Sequence, residues 1–179
     1  MQSSGLQETA RFDTRFFPQH IALLTVAENL MPMGYWTVIS KDPFRFLICM
    51  QVGNHSLTLL KKYNEAALHF MPWSERQRVI DAGHISGRDG DKAAKLGFEL
   101  YPAEQLEHTR LVRGADSAYE LVVNRELMRL SHEFTIFIMD VVAAHGEINH
   151  ADRQPILFLS LDDFATLGER WEHKKQLAR

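Results

Sequence analysis

The chain has 179 residues, 45% of them hydrophobic, enough for one well-buried core and short for two full domains, so a single domain over residues 1–179 is expected. Its 20 Lys and Arg against 23 Asp and Glu leave a formal charge of −3, without the basic field that nucleic acid or an anionic membrane selects. No run approaches the roughly 18 apolar residues of a membrane span, and the opening MQSSGLQETARFDTRFF has no signal-peptide core, so a soluble, cytoplasmic protein is expected.

Residues 1–15 read as a flexible arm. His20 to Glu28, Tyr35 to Ser40 and Phe44 to Val52 are rich in β-branched and aromatic residues and predict three strands joined by turn-like segments. Such close spacing favours hairpins or a meander over βαβ crossovers. The segment between the first two, NLMPMG, places two methionines and a glycine where a plain hairpin would use Asn-Gly or Asp-Gly. In HSLTLLKKYNE, Leu57, Leu60 and Tyr63 recur at helical spacing, with Asn54 or Ser56 available as N-cap. Ala66 to Pro72 returns to β; SERQRVIDAG then predicts a helix opened by a Ser74-x-x-Gln77 capping box and closed at Gly83. The loop HISGRDGD and a brief helix, KAAKLG, follow.

The second half is mainly β: Ala118 to Leu127, Glu133 to His145 and Gln154 to Leu161. The middle run is so evenly hydrophobic that it predicts a strand covered on both sides. Residues 170–179 form a charged tail. Seven or so strands with short helices between them give a mainly β (α+β) class, a barrel carrying helical insertions. The only cysteine, Cys49, reads as a small buried hydrophobe with no disulfide partner, and sulfur redox chemistry is not expected.

Neither Gly-x-Gly-x-x-Gly nor Gly-x-x-x-x-Gly-Lys-[Ser/Thr] occurs, so any nicotinamide cofactor docks without a Rossmann unit. His145 and His150 stand five apart and no His-Glu-x-x-His exists, so no metal site is expected. Gly-x-Ser-x-Gly is missing too. What remains suits a flat, phosphorylated ligand. GNHSLTLL brings helix-start amides together with the Ser56 and Thr58 hydroxyls, which either favour an anion or simply cap the helix. Arg88 and Lys92, on SGRDGDKAAK, are either phosphate cations or solvated charges, and Tyr35 and Trp36 either line a slot or belong to the core.

Taken in order, Asn29-Leu30-Met31-Pro32, Met33-Gly34-Tyr35, Ser40-Lys41-Asp42-Pro43, Ser56-x-Thr58, LHFMP with His69, Ser86-Gly87 before Asp91-Lys92, Glu120, His132 and RQPILFLSLDDFATLGE resemble the flavin reductase-like FMN-binding split-barrel family. The flavoredoxin-like branch is the most similar, and the resemblance runs from about Phe17 to Glu169. It departs at Pro32, where relatives carry threonine, at Tyr35 in place of tryptophan, at Trp36-Thr37 in place of a small pair, and at Leu130-Ser131-His132 in place of Gly-Asp-His.

The resemblance implies a split β-barrel homodimer that binds FMN noncovalently near the subunit interface. By position it places Asn29, Tyr35, Ser56, Lys92, His132 and Phe164 against the flavin, with Met31, Trp36 and Asn54 alongside. Gly34 lets the backbone approach the ring edge. Thr37, Ser40, Ser56 and Thr58 would present hydroxyls to the ribityl chain and phosphate, balanced by Lys92. The implied activity is an FMN-dependent oxidoreductase that takes a hydride from NADH or NADPH and passes electrons to a flavin, ferric or other acceptor, with His132 as the catalytic residue. Two alternatives stand beside it: an electron carrier that exchanges with a redox partner protein and uses no nicotinamide, and a non-catalytic flavin-binding module.

Overall fold

The run Ala22–Val26 is buried at every residue, which requires cover on both faces of one strand. Its neighbours supply that cover. The computed structural model describes residues 17–127, 133–147, 153–160 and 163–168. In chain order the elements are β1 (Gln19–His20), β2 (Ala22–Val26), β3 (Asn29–Met33), β4 (Trp36–Lys41), β5 (Phe44–Gln51), α1 (His55–Tyr63), β6 (Glu65–Phe70), α2 (Arg76–His84), α3 (Lys92–Leu96), β7 (Leu100–Pro102), β8 (Arg110–Val112), β9 (Ser117–Leu127), β10 (Phe134–His145), β11 (Leu157–Ser160) and β12 (Asp163–Ala165).

One antiparallel sheet takes the order β3-β2-β6-β9-β10-β5-β4. Its two edge strands, β3 and β4, are separated in sequence only by Gly34 and Tyr35, a link that reaches about 10 Å. The edges must therefore meet at that corner, and the sheet curls into a half barrel. Ala22, Leu24 and Val26 point inward with Met33, Phe46, Ile48, Met50, Leu68, Phe137 and Met139. Leu23, on the other face of β2, packs outside the barrel with Leu30, Met71, Val79 of α2 and Ala93 of α3. A small sheet, β1-β11-β12, lies beside this outer layer, and β7 pairs with β8.

Several expectations change. Asn29–Met33 is a strand and not a turn-like connection; it tolerates Pro32 because β3 is an edge, where a missing N–H breaks no ladder. β7, β8 and β12 are three residues each, too short to show a period. The capping box does not form: Ser74 lies in a 3₁₀ turn, Trp73–Glu75, α2 begins after Glu75 without a side-chain cap, and the Gln77 amide donates to Asp81 at 2.9 Å. α2 also runs through Gly83 to His84. β10 buries Thr135, Phe137 and Met139, while Ile136 and Ile138 on its other face are half-exposed, so it is covered on one side. Cys49 pairs with Ile136 on that outer face and is likewise half-buried; burial pushes its thiol up from the ordinary value. The arm 1–15, the tail 170–179 and His132 lie outside the described residues. Among the described residues no helix is long and apolar enough to cross a membrane, and no three His, Cys, Asp or Glu side chains cluster to hold a metal.

A buried histidine ties the layers together. His69 is wholly buried; its Nδ1 lies 3.1 Å from the Leu23 carbonyl and its Nε2 accepts the Val112 amide at 3.0 Å. These partners require the neutral Nδ1–H tautomer. Burial pushes His69 down to about 4, from 6.5. The unfolded chain thus takes up a proton first, so His69 contributes full stability above its unfolded value and loses it as pH falls from 6.5 to about 4. That is about 1.4 kcal/mol per pH unit within the window. His20, also pushed to about 4 by burial, acts in the same direction. His69→Asn, which can still donate to Leu23, is expected to flatten the stability profile by about that slope. Urea midpoints measured at several pH values check this; a slope identical to the parent's would show that His69 is not the titrating group.

Candidate functional site

α1 starts at Asn54 (φ −64°, ψ 137°), whose side chain accepts from the Ser56 amide at 2.9 Å. Asn54 is therefore the cap, and Ser56 turns inward. The wholly buried Ser56 hydroxyl accepts a 2.6 Å bond from Asn29 Nδ2, leaving its own proton to donate. Asn29 Oδ1 is buried with no hydrogen-bond partner among the described residues. An orphaned acceptor of this kind costs free energy until something donates to it.

Lys92, the first residue of α3, is 5% exposed. Its Nζ donates to the carbonyls of Leu30 and Ala82, both at 2.7 Å. An ammonium has three donors, so one proton is left over. Burial lowers its pKa. Ser86 caps the 3₁₀ turn Gly87–Asp89, whose Arg88 reaches across to donate to Gly53 O at 3.0 Å. Gly87 passes directly over the Asn29 amide, with no room for a side chain: an added Cβ would also sit 3.0 Å from the His55 ring.

Around these groups runs a cleft of about 430 Å³, walled by Asn29, Met31 and Pro32 of β3, by Asn54 and His55, and by residues from Ala82 through Arg88 with Lys92. Among the described residues no carboxylate lines it, while Arg88, Lys92, His55 and His84 do. In a chain of net negative charge, that is a local anion site. A larger cleft of about 590 Å³ shares Asn29, His55, Gly87 and Lys92, but there Glu28, Asp91 and Glu107 offset the cations. The smaller one suits a phosphate better.

Beyond Pro32, Gly83 and His84 the cleft adjoins a second groove of about 340 Å³, lined by Phe17, Ile21, Gly34, Tyr35, Phe158 and Phe164. α2 approaches β3 closely here: a Cβ at Gly83 would lie 3.0 Å from Pro32 Cγ. Tyr35 is held edge-on against Phe134 with centroids 5.4 Å apart, and Phe164 leans on Phe158 at 5.4 Å. The two adjoining spaces, together the trough, are cationic and hydrogen-bonding at one end and apolar at the other, with the Pro32–Gly83 contact between them.

The trough gathers Asn29, Met31, Gly34, Tyr35, Asn54, Lys92 and Phe164, with Ser56 behind Asn29. Gly34 faces the Ile21 methyl, 3.2 Å from where a Cβ would stand. Other expected residues lie elsewhere. Trp36 follows Tyr35 on a strand and so points to the opposite face, where its indole donates to His20 O at 3.0 Å. Thr37 and Thr58 are exposed, and Ser40 sits at the hairpin end of β4; none of them lines the trough. Pro32, expected at the flavin edge in place of a threonine, lines it too, while His55, Gly83, His84 and Phe158 line it unforeseen. Only the proximity of His84 to the Ser86-Gly87 loop hinted at any of these.

Solved structures share the architecture. A flavoredoxin from Methanosarcina acetivorans superposes with a TM-score of 0.81 at 17% identity, covering 96% of this chain and 97% of that one. An FMN-binding protein from Thermus thermophilus gives 0.81 at 21% identity, covering 97% and 100%. Nitrilotriacetate monooxygenase component B from Bacillus cereus gives 0.80 at 18%, covering 97% and 98%. At these identities the likeness establishes the split-barrel fold. No curated protein sequence matches the chain. The model of the flavin reductase-like domain matches residues 14–167, and the chain belongs to that family.

Proposed function

We propose that the protein binds FMN in this trough and acts as an FMN-dependent oxidoreductase using NADH or NADPH. The observation that carries the reading is the trough's polarity: a cationic end without a carboxylate among the described residues, adjoining an apolar, aromatic end. The residues present fit the cofactor. Arg88 and the remaining Lys92 proton suit a phosphate, the Asn29 Oδ1 orphan suits a ribityl hydroxyl, and Tyr35 and Phe164 suit a flat ring. The combined space falls in the usual range for cofactor sites, roughly 300–1,000 Å³.

When bound, FMN supplies hydride acceptance and electron release. The chain's own work is positioning. Lys92 is anchored by two carbonyls and cannot swing away, so its charge is preorganised. The apolar end keeps water from one side of whatever ring lies there.

The half-exposed outer face of β5 and β10, with Leu47, Cys49, Ile136 and Ile138 beside the Arg45–Asp140 pair, is where a second copy would pack to form the homodimer.

One preparation tests this reading. Protein incubated with FMN and desalted is expected to keep oxidised-flavin absorbance, to sediment at twice the chain mass, and to bleach anaerobically with NADH or NADPH. Bleaching by dithionite alone would replace the reductase with an electron carrier. A colourless desalted protein would remove the flavin assignment altogether.

A further inference from the structure

Strand alternation puts a second cavity behind the trough. Gln19 and Ile21 of the β1 segment face the trough, while His20 between them faces the other way. Tyr35 and Trp36 divide in the same manner. The cavity behind is about 250 Å³ and shares no lining residue with the trough. Its walls are mostly rings, Trp36, Phe44, Phe46, Phe70 and Tyr119, and Asp116 and Arg153 line it as well. The rings meet edge to face, Trp36 on Phe70 at 4.9 Å and 72°, Phe44 on Tyr119 at 5.6 Å and 85°. Such contacts hold the walls apart at fixed angles.

Two polar atoms in this aromatic setting have no partner among the described residues. Ser117 is only 5% exposed, yet its Oγ makes no hydrogen bond. His20 Nε2 is buried and equally unpaired, although its ring packs against Phe70 at 4.9 Å. Burial keeps the imidazole neutral, at about 4, so Nε2 is a donor or an acceptor by tautomer. Native interiors rarely leave two such groups unmatched side by side in one space.

We propose that this cavity is a second binding site, separate from the flavin trough, for a single aromatic ring carrying one uncharged hydroxyl. The size admits one substituted ring and excludes a flavin or a nicotinamide dinucleotide. The walls reward a flat apolar body. A hydroxyl both donates and accepts, so it matches Ser117 Oγ and either tautomer of His20, while Asp116 and Arg153, of opposite charge in the same lining, leave no net field to select an ion. This inference does not rest on the flavin reading, since no residue serves both sites.

The test titrates p-cresol, with toluene as the comparison, into the full-length protein loaded with FMN, or into the protein as purified if it holds none. The readouts are intrinsic tryptophan fluorescence, to which Trp36 in the cavity wall contributes, and the flavin spectrum. Saturable p-cresol binding about tenfold tighter than toluene, with the flavin spectrum unchanged, is expected. In Ser117→Ala that preference should vanish while the empty protein's Tm stays level or rises, because an unpaired buried hydroxyl has been removed. A non-saturable response, release of FMN by p-cresol, or an undiminished preference in Ser117→Ala would each overturn the proposal.

Discussion

Replacing Glu120 with alanine is expected to destabilise the protein by about 3–5 kcal/mol, the scale of breaking a buried charged network. Glu120 projects from the middle of β9 and is wholly buried. Oε1 accepts the Glu104 amide at 2.8 Å, Oε2 accepts the Gln105 amide at 2.7 Å, and His145 Nε2 lies 2.7 Å from Oε1. Burial alone would raise its pKa, but the two backbone amides and His145 outweigh it and hold the carboxyl below the ordinary value. Next door on β6, Glu65 does the same for the amides of Glu107, His108 and Thr109. The two carboxylates together satisfy five consecutive-region amides of the connection between β7 and β8, which has no ladder of its own. Alanine at 120 strands two amides and an imidazole. Glutamine keeps one acceptor and should cost about 1–3 kcal/mol. Chemical denaturation at neutral pH separates the two. A loss within 0.5 kcal/mol for alanine would mean that water takes the carboxylate's place. The sign of the pH effect follows from the depressed value: Glu120 stabilises at pH above its unfolded value of 4.5 and ceases to as pH falls through its lower folded value.

That network was invisible in the chain, because its partners are brought together by a loop with no period of its own. Where the pattern was strong, the sequence could be read. Phe44–Gln51 and Phe134–His145 alternate or run apolar for eight and twelve residues and emerge as β5 and β10. The lost elements are those in which a local signal met a stronger tertiary one. Asn29–Met33 read as a turn-like connection, but it is an edge strand whose Pro32 packs on Gly83 of α2. Gly83 argued for a helix end, but it persists inside α2 because that close approach to Pro32 needs a missing side chain. The site divides similarly. Asn54 and Lys92 were legible as polar groups at a helix start and on a glycine loop, Asn29 only through the family resemblance, and the three converge. Thr37, Ser40 and Thr58 were legible only as hydroxyls; strand alternation and helix phase, which spacing alone does not fix relative to a distant wall, carry them away.

Gly87→Val is expected to weaken FMN binding by about a hundredfold or more, or about 2.8 kcal/mol, with a smaller loss of stability. The position lies in the one wall common to both ends of the cationic region, and its backbone touches the Asn29 amide. A branched side chain there leaves two outcomes. Either the Ser86–Arg88 loop withdraws from α1, which pulls Arg88 off the Gly53 carbonyl, or the Asn29 amide rotates and gives up Ser56. Each displaces a donor or cation by more than the ångström or so that a preorganised anion site tolerates. Packing of the barrel is untouched, since Gly87 contacts neither core cluster. Arg113→Ala removes a charge of the same sign from a surface pair with Glu99 and should leave affinity unaltered, which separates local geometry from net charge. Fluorescence titration with FMN reads both variants. An unchanged Kd for Gly87→Val would mean that the phosphate end of the flavin lies outside this cleft, whatever the family fold holds in common.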